Sequence, residues 1–279
     1  MTYREICARM RAAGVENAEW DARLLLEHFC NADAMKLLAE PDRELPCSKE
    51  LEQAIEQRCK RYPLQYLIGK WEFYRQTYEV SPDCLIPRAD TEILVERAIK
   101  LLPQGARFAD FCTGSGCIAV STLAERPDTT AIAVDKFENT LALATRNAIR
   151  NGVRERFYPL CMDLLGELTL PEEFSRLDAI LCNPPYITTE ALKSLAPELD
   201  AEPIAALDGG EDGLIFYRAL LKNASRFLKP NGFFLFEIGF DQAEALRALG
   251  RALGFDGYEC TRDLGGNDRV VRIWLNDVT

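Results

Sequence analysis

Apolar residues recur at helical spacing in the N-terminal part of the chain. Leu51, Ile55 and Cys59 repeat every four residues, and they follow Ser48, a residue type that caps helix N-termini. Prolines punctuate this region, and the alternation typical of strands is missing. The sequence therefore predicts a small all-helical domain over residues 1–63.

Aromatic side chains are frequent in the next stretch, residues 64–84. Aromatic residues are enriched in strands, because their rings pack well on a pleated surface. Gly69 and Lys70 divide this stretch and supply a flexible position of the kind that tight turns use. We expect a β-hairpin linker with its turn near these two residues.

Beyond the linker, short apolar runs typical of buried strands alternate with helical patterns. This order is typical of a parallel sheet with helices on both faces, joined by right-handed crossovers. In the tail, the last two strand patterns have no helix between them. Residues 85–279 are therefore predicted to form an α/β domain, a doubly wound sheet that ends in an antiparallel hairpin. The predicted strands are residues 107–111, 131–135, 157–161, 179–182, 233–238, 258–261 and 269–275.

The composition is that of a globular protein with ample apolar residues for its cores, since 48% of the 279 residues are hydrophobic. Its charge argues against one class of ligand. The chain has 33 Lys and Arg against 44 Asp and Glu, a net charge of -11. Proteins that bind a phosphate backbone usually carry a basic surface, so direct binding of nucleic acid is not expected.

The cysteine and histidine content bears on metals and on the compartment. Ten cysteines are scattered without a Cys-x-x-Cys pair, and the chain has a single histidine, so no metal site is expected. Several cysteines lie beside apolar residues, where a thiol behaves as a small hydrophobe, which fits a reducing compartment. The N-terminus lacks a long apolar stretch, so we expect no signal peptide, no membrane span and a cytoplasmic protein.

The most informative residues directly follow the strand predicted at residues 179–182: Asn183, Pro184, Pro185 and Tyr186. Two prolines fix the backbone and cannot donate to a sheet, so the chain leaves the strand there with its carbonyls held in set directions. The Asn183 side-chain oxygen and the Pro184 carbonyl can together accept both hydrogens of an NH2 group, with the Tyr186 ring against its flat face. This pattern favours methyl transfer to a planar nitrogen, and the alternative is a plain turn at a strand end.

A glycine-containing loop joins the first strand of the α/β domain to its helix. It consists of Asp110, Phe111, Cys112, Thr113, Gly114, Ser115 and Gly116. Its spacing differs from the longer glycine fingerprint that seats a pyrophosphate, and it suits an adenosine that carries no phosphate. Asp135 ends the second strand, where a carboxylate can accept hydrogen bonds from two ribose hydroxyls. The alternative is an ordinary turn followed by an Asp that caps a helix.

Asp163 and Leu164 follow the third strand of this domain. A carboxylate there can accept a hydrogen bond from an adenine amino group, and the leucine can pack on the adenine ring. An Asp that opens a turn is also frequent without any ligand, which is the alternative interpretation of this position.

Five segments together resemble the S-adenosylmethionine-dependent N5-glutamine methyltransferases. They are residues 85–92, the loop 110–116, Asp135, residues 183–186 and residues 206–214. The similarity covers nearly the whole chain, and the last segment, Ala-Leu-Asp-Gly-Gly-Glu-Asp-Gly-Leu, is rather specific. Members of this family carry an N-terminal helical domain that a hairpin joins to a catalytic Rossmann-like domain. The resemblance implies the organisation that the hydrophobic pattern also predicts.

The resemblance implies a reaction. S-adenosylmethionine is the expected methyl donor, and the expected acceptor is the side-chain amide nitrogen, N5, of a glutamine in a loop of a peptide chain release factor, a protein of translation termination. An amide nitrogen is a poor nucleophile, because its lone pair is delocalised into the carbonyl. Hydrogen bonds to Asn183 and to the Pro184 carbonyl would favour the geometry in which that lone pair is localised. A strong base is not required.

The resemblance and the positions of the motifs assign residues to each ligand. The methyl donor is expected to contact Asp110, Cys112, Thr113, Gly114, Ser115, Gly116, Asp135, Asp163, Leu164 and Asn183. The glutamine is expected to contact Arg88, Asn183, Pro184, Pro185 and Tyr186. The expected catalytic residues are Asn183, Pro184 and Tyr186.

Two positions depart from the family pattern. Cys112 stands where many members have a glycine, and Ala89 replaces a frequent proline. Cys112 is compatible with the loop if its φ is negative. The sequence Cys-Thr-Gly-Ser-Gly-Cys also resembles that of sister enzymes that methylate a glutamine of a ribosomal protein. A ribosomal protein therefore remains an alternative substrate.

Charged residues near the expected substrate pocket have structural alternatives. Arg88 and Glu92 either shape the pocket entrance or form an ion pair. Glu198, Glu202 and Asp208 lie in a long segment that is interpreted as a loop over the substrate, and we expect them to be surface charges.

Two functions of other classes stay open. An adenine-N6 nucleic-acid methyltransferase would use residues 183–186 for a flipped exocyclic amine, although the acidic chain argues against it. A noncatalytic adaptor would keep the fold and bind partners through its helical domain, but it would need neither the glycines nor Asn183. We expect a monomeric enzyme whose helical domain docks a protein substrate.

Overall fold

The computed structural model describes residues 1–275. They divide into two units, one formed by Met1–Lys70 with Leu195–Ala201, and the other by Trp71–Ser194 with the residues from Glu202 onward. Each unit has its own hydrophobic core. The domain boundaries that the sequence suggests, after residues 63 and 84, stay a prediction.

Helices build the first unit around fully buried apolar side chains such as Met10, Leu25 and Ile55. They are α1 (Tyr3–Ala12), α2 (Ala18–Cys30), α3 (Ala34–Ala39), α4 (Lys49–Cys59) and α5 (Leu64–Ile68). Ser48 caps α4, since its hydroxyl accepts a hydrogen bond from the Leu51 amide at 3.1 Å. The predicted all-helical N-terminal region is confirmed.

A cluster of charges joins α2, α4 and the segment Leu195–Ala201 within this unit. Arg58 Nε donates to Asp21 Oδ2 at 2.7 Å, and the two side chains are 9% and 7% exposed. Arg58 and Arg61 also bind the Glu198 carboxylate, at 3.3 and 2.5 Å. Glu198 is 25% exposed, so the expectation that it is a free surface charge is wrong.

The predicted β-hairpin is present, but its turn lies elsewhere than predicted. Strands β1 (Lys70–Phe73) and β2 (Gln76–Glu79) form a two-stranded sheet, with Tyr74 and Arg75 between them. Both turn residues have positive φ, 43° and 69°, as in the tight turns whose twist matches that of the strands. Gly69 has φ of 73° and ends α5 instead. The prediction of a turn at this glycine is wrong, because its left-handed backbone serves a helix end.

Seven strands form the main sheet in the described part of the second unit. They are β3 (Arg107–Phe111), β4 (Thr130–Asp135), β5 (Phe157–Cys161), β6 (Leu177–Cys182), β7 (Leu228–Glu237), β8 (Gly257–Arg262) and β9 (Asp268–Trp274). Their order is β5-β4-β3-β6-β7-β9-β8. The first five are parallel, whereas β9 is antiparallel to both β7 and β8. The predicted doubly wound sheet with a C-terminal antiparallel hairpin is confirmed.

Helices follow the strands of this sheet, and two of them were not predicted. The helices are α6 (Glu92–Leu101), α7 (Cys117–Glu125), α8 (Glu138–Arg150), α9 (Ile215–Ala219) and α10 (Ala243–Ala252). The sequence pattern predicts one helix over about residues 214–227, and α9 together with the π-helical turn at Leu220–Ala224 fills most of that range. The two helices that were not predicted are α6 and α10. Within residues 1–275, no helix has both the length and the apolar character needed to cross a membrane.

Side chains of the central strands point alternately to two apolar cores. Along β6, Ala179 and Leu181 join one core, and Ile180 and Cys182 join the other. All four are fully buried. Coverage of both faces explains why this strand is an almost unbroken apolar run in the sequence.

Asn147 is a fully buried polar residue on α8 that holds the hairpin and the loop after β3. Its Oδ1 accepts a hydrogen bond from the Glu79 amide at 2.7 Å. Its Nδ2 donates to the Glu79 carbonyl at 3.1 Å and to the Ser115 carbonyl at 2.8 Å. All the polar atoms of this side chain are satisfied by backbone groups of two other segments.

We expect Asn147→Leu to lower the free energy of unfolding by about 3 kcal/mol, because buried backbone groups would lose their partners. Chemical denaturation would measure the change. Arg150→Ala, which removes an exposed ion pair to Glu79 from the same helix, is the matched control and should cost less than about 1 kcal/mol. Equal losses for the two variants would contradict the role given to Asn147.

Candidate active site

A cavity of about 600 Å³ lies at the carboxyl ends of β3, β4 and β6. In doubly wound sheets, ligands bind where the strand order reverses, which is the position between β3 and β6 here. The volume is in the usual range for sites that take small organic ligands. Its walls are formed by the loops after these strands and by residues of the segments 82–91 and 203–208.

Asp110 and Gly116 shape the loop after β3 from behind. Asp110 is fully buried, and its Oδ2 accepts hydrogen bonds from the Thr113 hydroxyl at 2.6 Å and the Ala119 amide at 3.1 Å. Gly116 precedes α7 with φ of 82°, and a Cβ there would lie 3.2 Å from the Ala144 Cβ. The pair fixes the course of the loop without reaching the cavity wall.

Burial raises the pKa of Asp110 to about 7, and the hydrogen bonds from Thr113 and Ala119 oppose that shift. Its second oxygen, Oδ1, has no hydrogen-bond partner within residues 1–275. The carboxyl group is therefore held in a site that disfavours its charged form.

Cys112 lines the cavity, and its backbone is left-handed, with φ of 56°. A negative φ, the condition under which a cysteine was expected to be compatible with this loop, is therefore not met. The turn is fixed by the Thr113 amide, which donates to the Val134 carbonyl at 3.0 Å, and by the Gly116 amide, which donates to the Thr113 carbonyl at 2.8 Å. A side chain with left-handed φ costs about 1 kcal/mol, and the surrounding hydrogen bonds keep it there.

Asp135 stands at the end of β4 on the cavity wall. Its Oδ2 accepts a hydrogen bond from the Gly114 amide at 3.0 Å, and its Oδ1 accepts one from the Phe137 amide at 3.2 Å. Burial raises its pKa, and these amides oppose the shift. Each oxygen retains acceptor capacity towards the cavity, because a carboxylate oxygen can accept two hydrogen bonds.

Asp163 and Leu164 line the same cavity after β5. Lys136 Nζ binds Asp163 Oδ2 at 2.8 Å, and this contact lowers the pKa of the carboxyl group. Leu164 is 4% exposed and packs with the core on that side of the sheet. The site thus has an apolar wall beside an anchored carboxylate.

Asn183 directly follows β6 and reaches the cavity. Its Nδ2 donates a hydrogen bond to the Thr91 hydroxyl at 3.2 Å. Thr91 is 2% exposed and precedes α6. No hydrogen bond to Asn183 Oδ1 occurs within residues 1–275, so this oxygen can act as an acceptor while the NH2 group is used by Thr91.

The diproline corner after Asn183 is packed from behind by the segment around Gly209. Pro184 and Pro185 are buried, and Pro185 lines the cavity. A Cβ at Gly209 would lie 2.8 Å from both the Pro185 carbonyl oxygen and the Tyr186 Cα, so only glycine fits. This close approach gives a physical reason for the glycines in the segment 206–214.

Tyr186 is partly buried behind the corner, and burial raises the pKa of its hydroxyl to about 12. Its carbonyl accepts a hydrogen bond from Gln242 Nε2 at 3.1 Å. Gln242 Oε1 in turn accepts from the Gly239 amide at 2.9 Å. The corner is therefore tied to the loop after β7.

Arg88 lines the cavity and forms an ion pair with Glu202. Glu202 is 4% exposed, and its other oxygen accepts from the Ile86 amide at 3.0 Å. Glu92 instead accepts from the Tyr74 amide at 2.9 Å. Arg88 therefore does form a structural ion pair, but its partner is Glu202 and not Glu92, and the expectation that Glu202 is a surface charge is wrong.

The cavity gathers most of the residues predicted from the sequence. Those on its wall are Arg88, Cys112, Thr113, Gly114, Ser115, Asp135, Asp163, Leu164, Asn183 and Pro185. Four others in the described chain lie outside this wall: Asp110, Gly116, Pro184 and Tyr186. Thr91, which also lines the cavity, was not predicted, and neither were Gln242 and the role of Glu202, which hold residues of the site from outside the cavity. No cluster of three or more His, Cys, Asp or Glu side chains with metal-binding geometry occurs in residues 1–275.

Two family models match separate parts of the chain, and named relatives match most of its length. The models are the PrmC N-terminal domain, over residues 2–69, and the methyltransferase small domain, over residues 89–210. A release factor glutamine methyltransferase of Geobacter sulfurreducens is 39% identical, covering 92% of this chain and 90% of that protein. The protein of the same name from Caulobacter vibrioides is 37% identical, covering 94% and 91%.

A solved structure supports the fold. The hMettl16 catalytic domain, in complex with the MAT2A 3'UTR hairpin 6, superposes with a TM-score of 0.58 at 17% identity and covers 85% of this chain and 86% of that one. The superposition shows a Rossmann-like fold, and the methyltransferase family model and the named relatives show that the chain is a methyltransferase. With identity of this level to curated relatives over nearly their whole length, it belongs to the release factor glutamine methyltransferase family.

The left-handed backbone of Cys112 predicts an order of stability among variants. Cys112→Gly should change the free energy of unfolding by at most about 1 kcal/mol, since relief of strain offsets the greater entropy of the unfolded chain. Cys112→Val should destabilise by more than Cys112→Gly, because a β-branched side chain fits positive φ worst. Thermal unfolding would measure both, and the reverse order would contradict the assigned backbone.

Asp110 predicts a loss of stability as the pH rises. Its pKa is about 7 in the folded protein against an ordinary value of 3.8, so the folded chain binds a proton that the unfolded chain releases. The stabilisation is complete below about pH 4 and is lost up to about pH 7, by about 4 kcal/mol at most. Asp110→Asn should reduce this loss in denaturation measured at each pH. The exposed variant Asp241→Asn should keep the wild-type slope, and a parallel slope for Asp110→Asn would contradict the assignment.

Proposed function

We propose that this chain transfers a methyl group from S-adenosylmethionine to the side-chain amide nitrogen of a glutamine in a peptide chain release factor. The observation that carries the proposal is the orientation of Asn183. Its NH2 group is used by Thr91, so its Oδ1 is available to an NH2 group in a cavity of about 600 Å³. The relatives that are named for this reaction support the substrate.

The residues of the cavity fit the methyl donor. Asp135 has spare acceptor capacity for two ribose hydroxyls, since each oxygen accepts one backbone amide. Leu164 offers an apolar surface to adenine beside Asp163. A Cβ at Gly114 would meet nothing nearer than 4.0 Å, so the loop leaves room for a ligand against its main chain. When bound, S-adenosylmethionine supplies an activated methyl group on a positively charged sulfur.

In the proposed mechanism, residues of the chain orient the amide nitrogen of the glutamine and favour localisation of its lone pair. Asn183 Oδ1 and the Pro184 carbonyl accept the two hydrogens of the glutamine NH2 group, which favours a localised lone pair on nitrogen. In the proposed complex the Tyr186 ring, which lies behind the corner in this structure, is expected to lie against the amide plane, and Arg88, held by Glu202, is expected to shape the pocket entrance. Fixing the nitrogen in line with the methyl group is expected to supply much of the rate enhancement.

The proposed substrate gives the N-terminal helices a role and the protein a compartment. We expect the helical domain to dock the release factor, since relatives named for this reaction match nearly the full length of the chain. The cytoplasm is the expected compartment, because release factors act in translation. We expect the enzyme to work as a monomer, without a metal and without binding nucleic acid directly.

We expect Asn183→Ala to lower kcat by about 100-fold or more, because one of two acceptors for the reacting NH2 group is lost. Transfer of labelled methyl from S-adenosylmethionine to a purified release factor would measure this, and mass spectrometry would locate the label on glutamine. Asn231→Gly is the matched control, since Asn231 is exposed with φ of 63° near the start of β7 and glycine keeps that backbone. Full activity of Asn183→Ala would contradict the mechanism.

The same assay separates the alternatives. Labelling of a ribosomal protein but not of a release factor would contradict the proposed substrate and favour the sister reaction. Labelling of adenine in DNA or RNA, with binding that weakens steeply as the salt concentration increases, would favour an adenine-N6 nucleic-acid methyltransferase. Absence of any transfer together with absence of S-adenosylmethionine binding in calorimetry would favour a noncatalytic adaptor.

A further inference from the structure

Gln242 carries a buried side-chain amide that the proposed mechanism does not use. The residue directly precedes α10, is 8% exposed and lies outside the cavity wall. Its side chain does not cap the helix that it precedes, and it binds backbone groups of three segments instead. Because a buried amide without partners is costly, these contacts account for the burial of the side chain.

Each end of this amide has backbone partners of the matching kind. Gln242 Oε1 accepts a hydrogen bond from the Gly239 amide at 2.9 Å. Nε2 donates its two hydrogens to the Tyr186 carbonyl at 3.1 Å and to the Gly213 carbonyl at 3.2 Å. The reverse orientation is excluded, because Oε1 would then face two carbonyl oxygens, which only accept. The neighbours of the side chain therefore fix which way its NH2 group points.

The two carbonyls that Nε2 binds belong to two segments of the site. Tyr186 ends the diproline corner, and Gly213 belongs to the segment 206–214, of which Asp208 lines the cavity. Gly213 has φ of 71°, and a Cβ there would lie 2.6 Å from Gln242 Nε2, so only glycine allows this close approach. One NH2 group thus joins both segments at a single point.

The diproline corner has few other backbone anchors. Neither Pro184 nor Pro185 has an amide hydrogen, and within residues 1–275 neither proline carbonyl receives a hydrogen bond. The Tyr186 carbonyl, which Gln242 binds, is the next acceptor along the chain. With φ locked at Pro185, few rotatable bonds separate the Tyr186 carbonyl from the Pro184 carbonyl. Fixing the direction of the first therefore restrains the direction of the second.

We propose that Gln242 is a positioning residue that, through the Tyr186 carbonyl, holds the Pro184 carbonyl in the direction from which it accepts a hydrogen of the glutamine NH2 group. The inference deepens the proposed function and rests on it for the role of the Pro184 carbonyl. The NH2 end of Gln242 has this effect, and the bond from Gly239 to Oε1 anchors the side chain. Gln242 touches neither ligand in this scheme, so its effect is on the alignment of the reacting nitrogen.

Nuclear magnetic resonance of the corner tests the positioning without any catalysis. Residues 184 and 185 are the one Pro-Pro pair of the sequence, so in protein labelled with carbonyl-13C and 15N proline only the Pro184 carbonyl is bonded to a labelled nitrogen. In Gln242→Met, which keeps the side-chain length without its donors, this signal should shift or split. Glu244→Gln, at a side chain of α10 that is 84% exposed, is the control and should leave it in place. An unchanged Pro184 signal in Gln242→Met would overturn the proposal.

Kinetics with the release factor supplies the second test. Gln242→Met should lower kcat by roughly tenfold to a hundredfold, with little change in KM for either substrate. The value of kcat is taken per S-adenosylmethionine site counted by calorimetry, so a loss of folded protein does not imitate the effect.

Gln242→Glu separates the two ends of the side chain. It keeps the size and an oxygen for the Gly239 amide, but it replaces the two donated hydrogens by at most one. It should therefore also lose kcat, by about tenfold. Full activity of Gln242→Glu would assign the effect to the bond with Gly239 and overturn the proposal. If Gln242→Met does not fold, the same two measurements on Gln242→Glu decide.

The two proposals fail in distinguishable ways. A wild-type protein that methylates no release factor, but whose Pro184 signal responds to Gln242→Met, would refute the proposed function and leave the link between Gln242 and the corner standing. An active wild type whose kcat per site is unchanged in Gln242→Met would retain the function and refute the role of Gln242.

Discussion

The site depends on the parallel register of three neighbouring strands. Phe111 pairs with Cys182, and Cys182 pairs with Phe236, so the residues that follow them leave the sheet at one edge. This constraint brings together the loop after β3, the diproline corner after β6 and the loop after β7, which leads to Gln242. A shift by one residue would turn every side chain to the opposite face. The apolar pattern that fixes the register therefore also fixes the chemistry.

Most of the fold could be predicted because its signals are local. The strands of the main sheet are compact apolar runs, and Ser48 is a cap that its own neighbours reveal. The hairpin turn could not be predicted, since Tyr74 and Arg75 have positive φ without the Gly or Asn that usually marks it. The glycine that was available, Gly69, ends a helix. Turn geometry in this case follows from packing rather than from residue type.

Most of the predicted site residues line the cavity, whereas the residues that bind their side chains could not be predicted. Asn183, Asp135 and the loop at residues 110–116 lie in short motifs with a readable chemistry. Thr91 and Glu202 lack such a signal, because their partners are remote: Asn183 lies 92 positions from Thr91, and Arg88 lies 114 positions from Glu202. The backbone of Cys112 could not be predicted either. Its residue type suggests a right-handed or extended conformation, whereas tertiary hydrogen bonds hold it in the left-handed one.

Within residues 1–275, no single cut in the sequence separates the two units, because the chain returns to the helical unit at Leu195–Ala201 and leaves it again at Glu202. A fragment that begins at Trp71 would carry Glu198 without Arg58 and Arg61, its ion-pair partners. The Glu198 carboxylate, which is three-quarters buried, would then be left without ion-pair partners unless water solvated it. The N-terminal helical unit thus supplies the ion-pair partners for a carboxylate more than a hundred positions further along the chain.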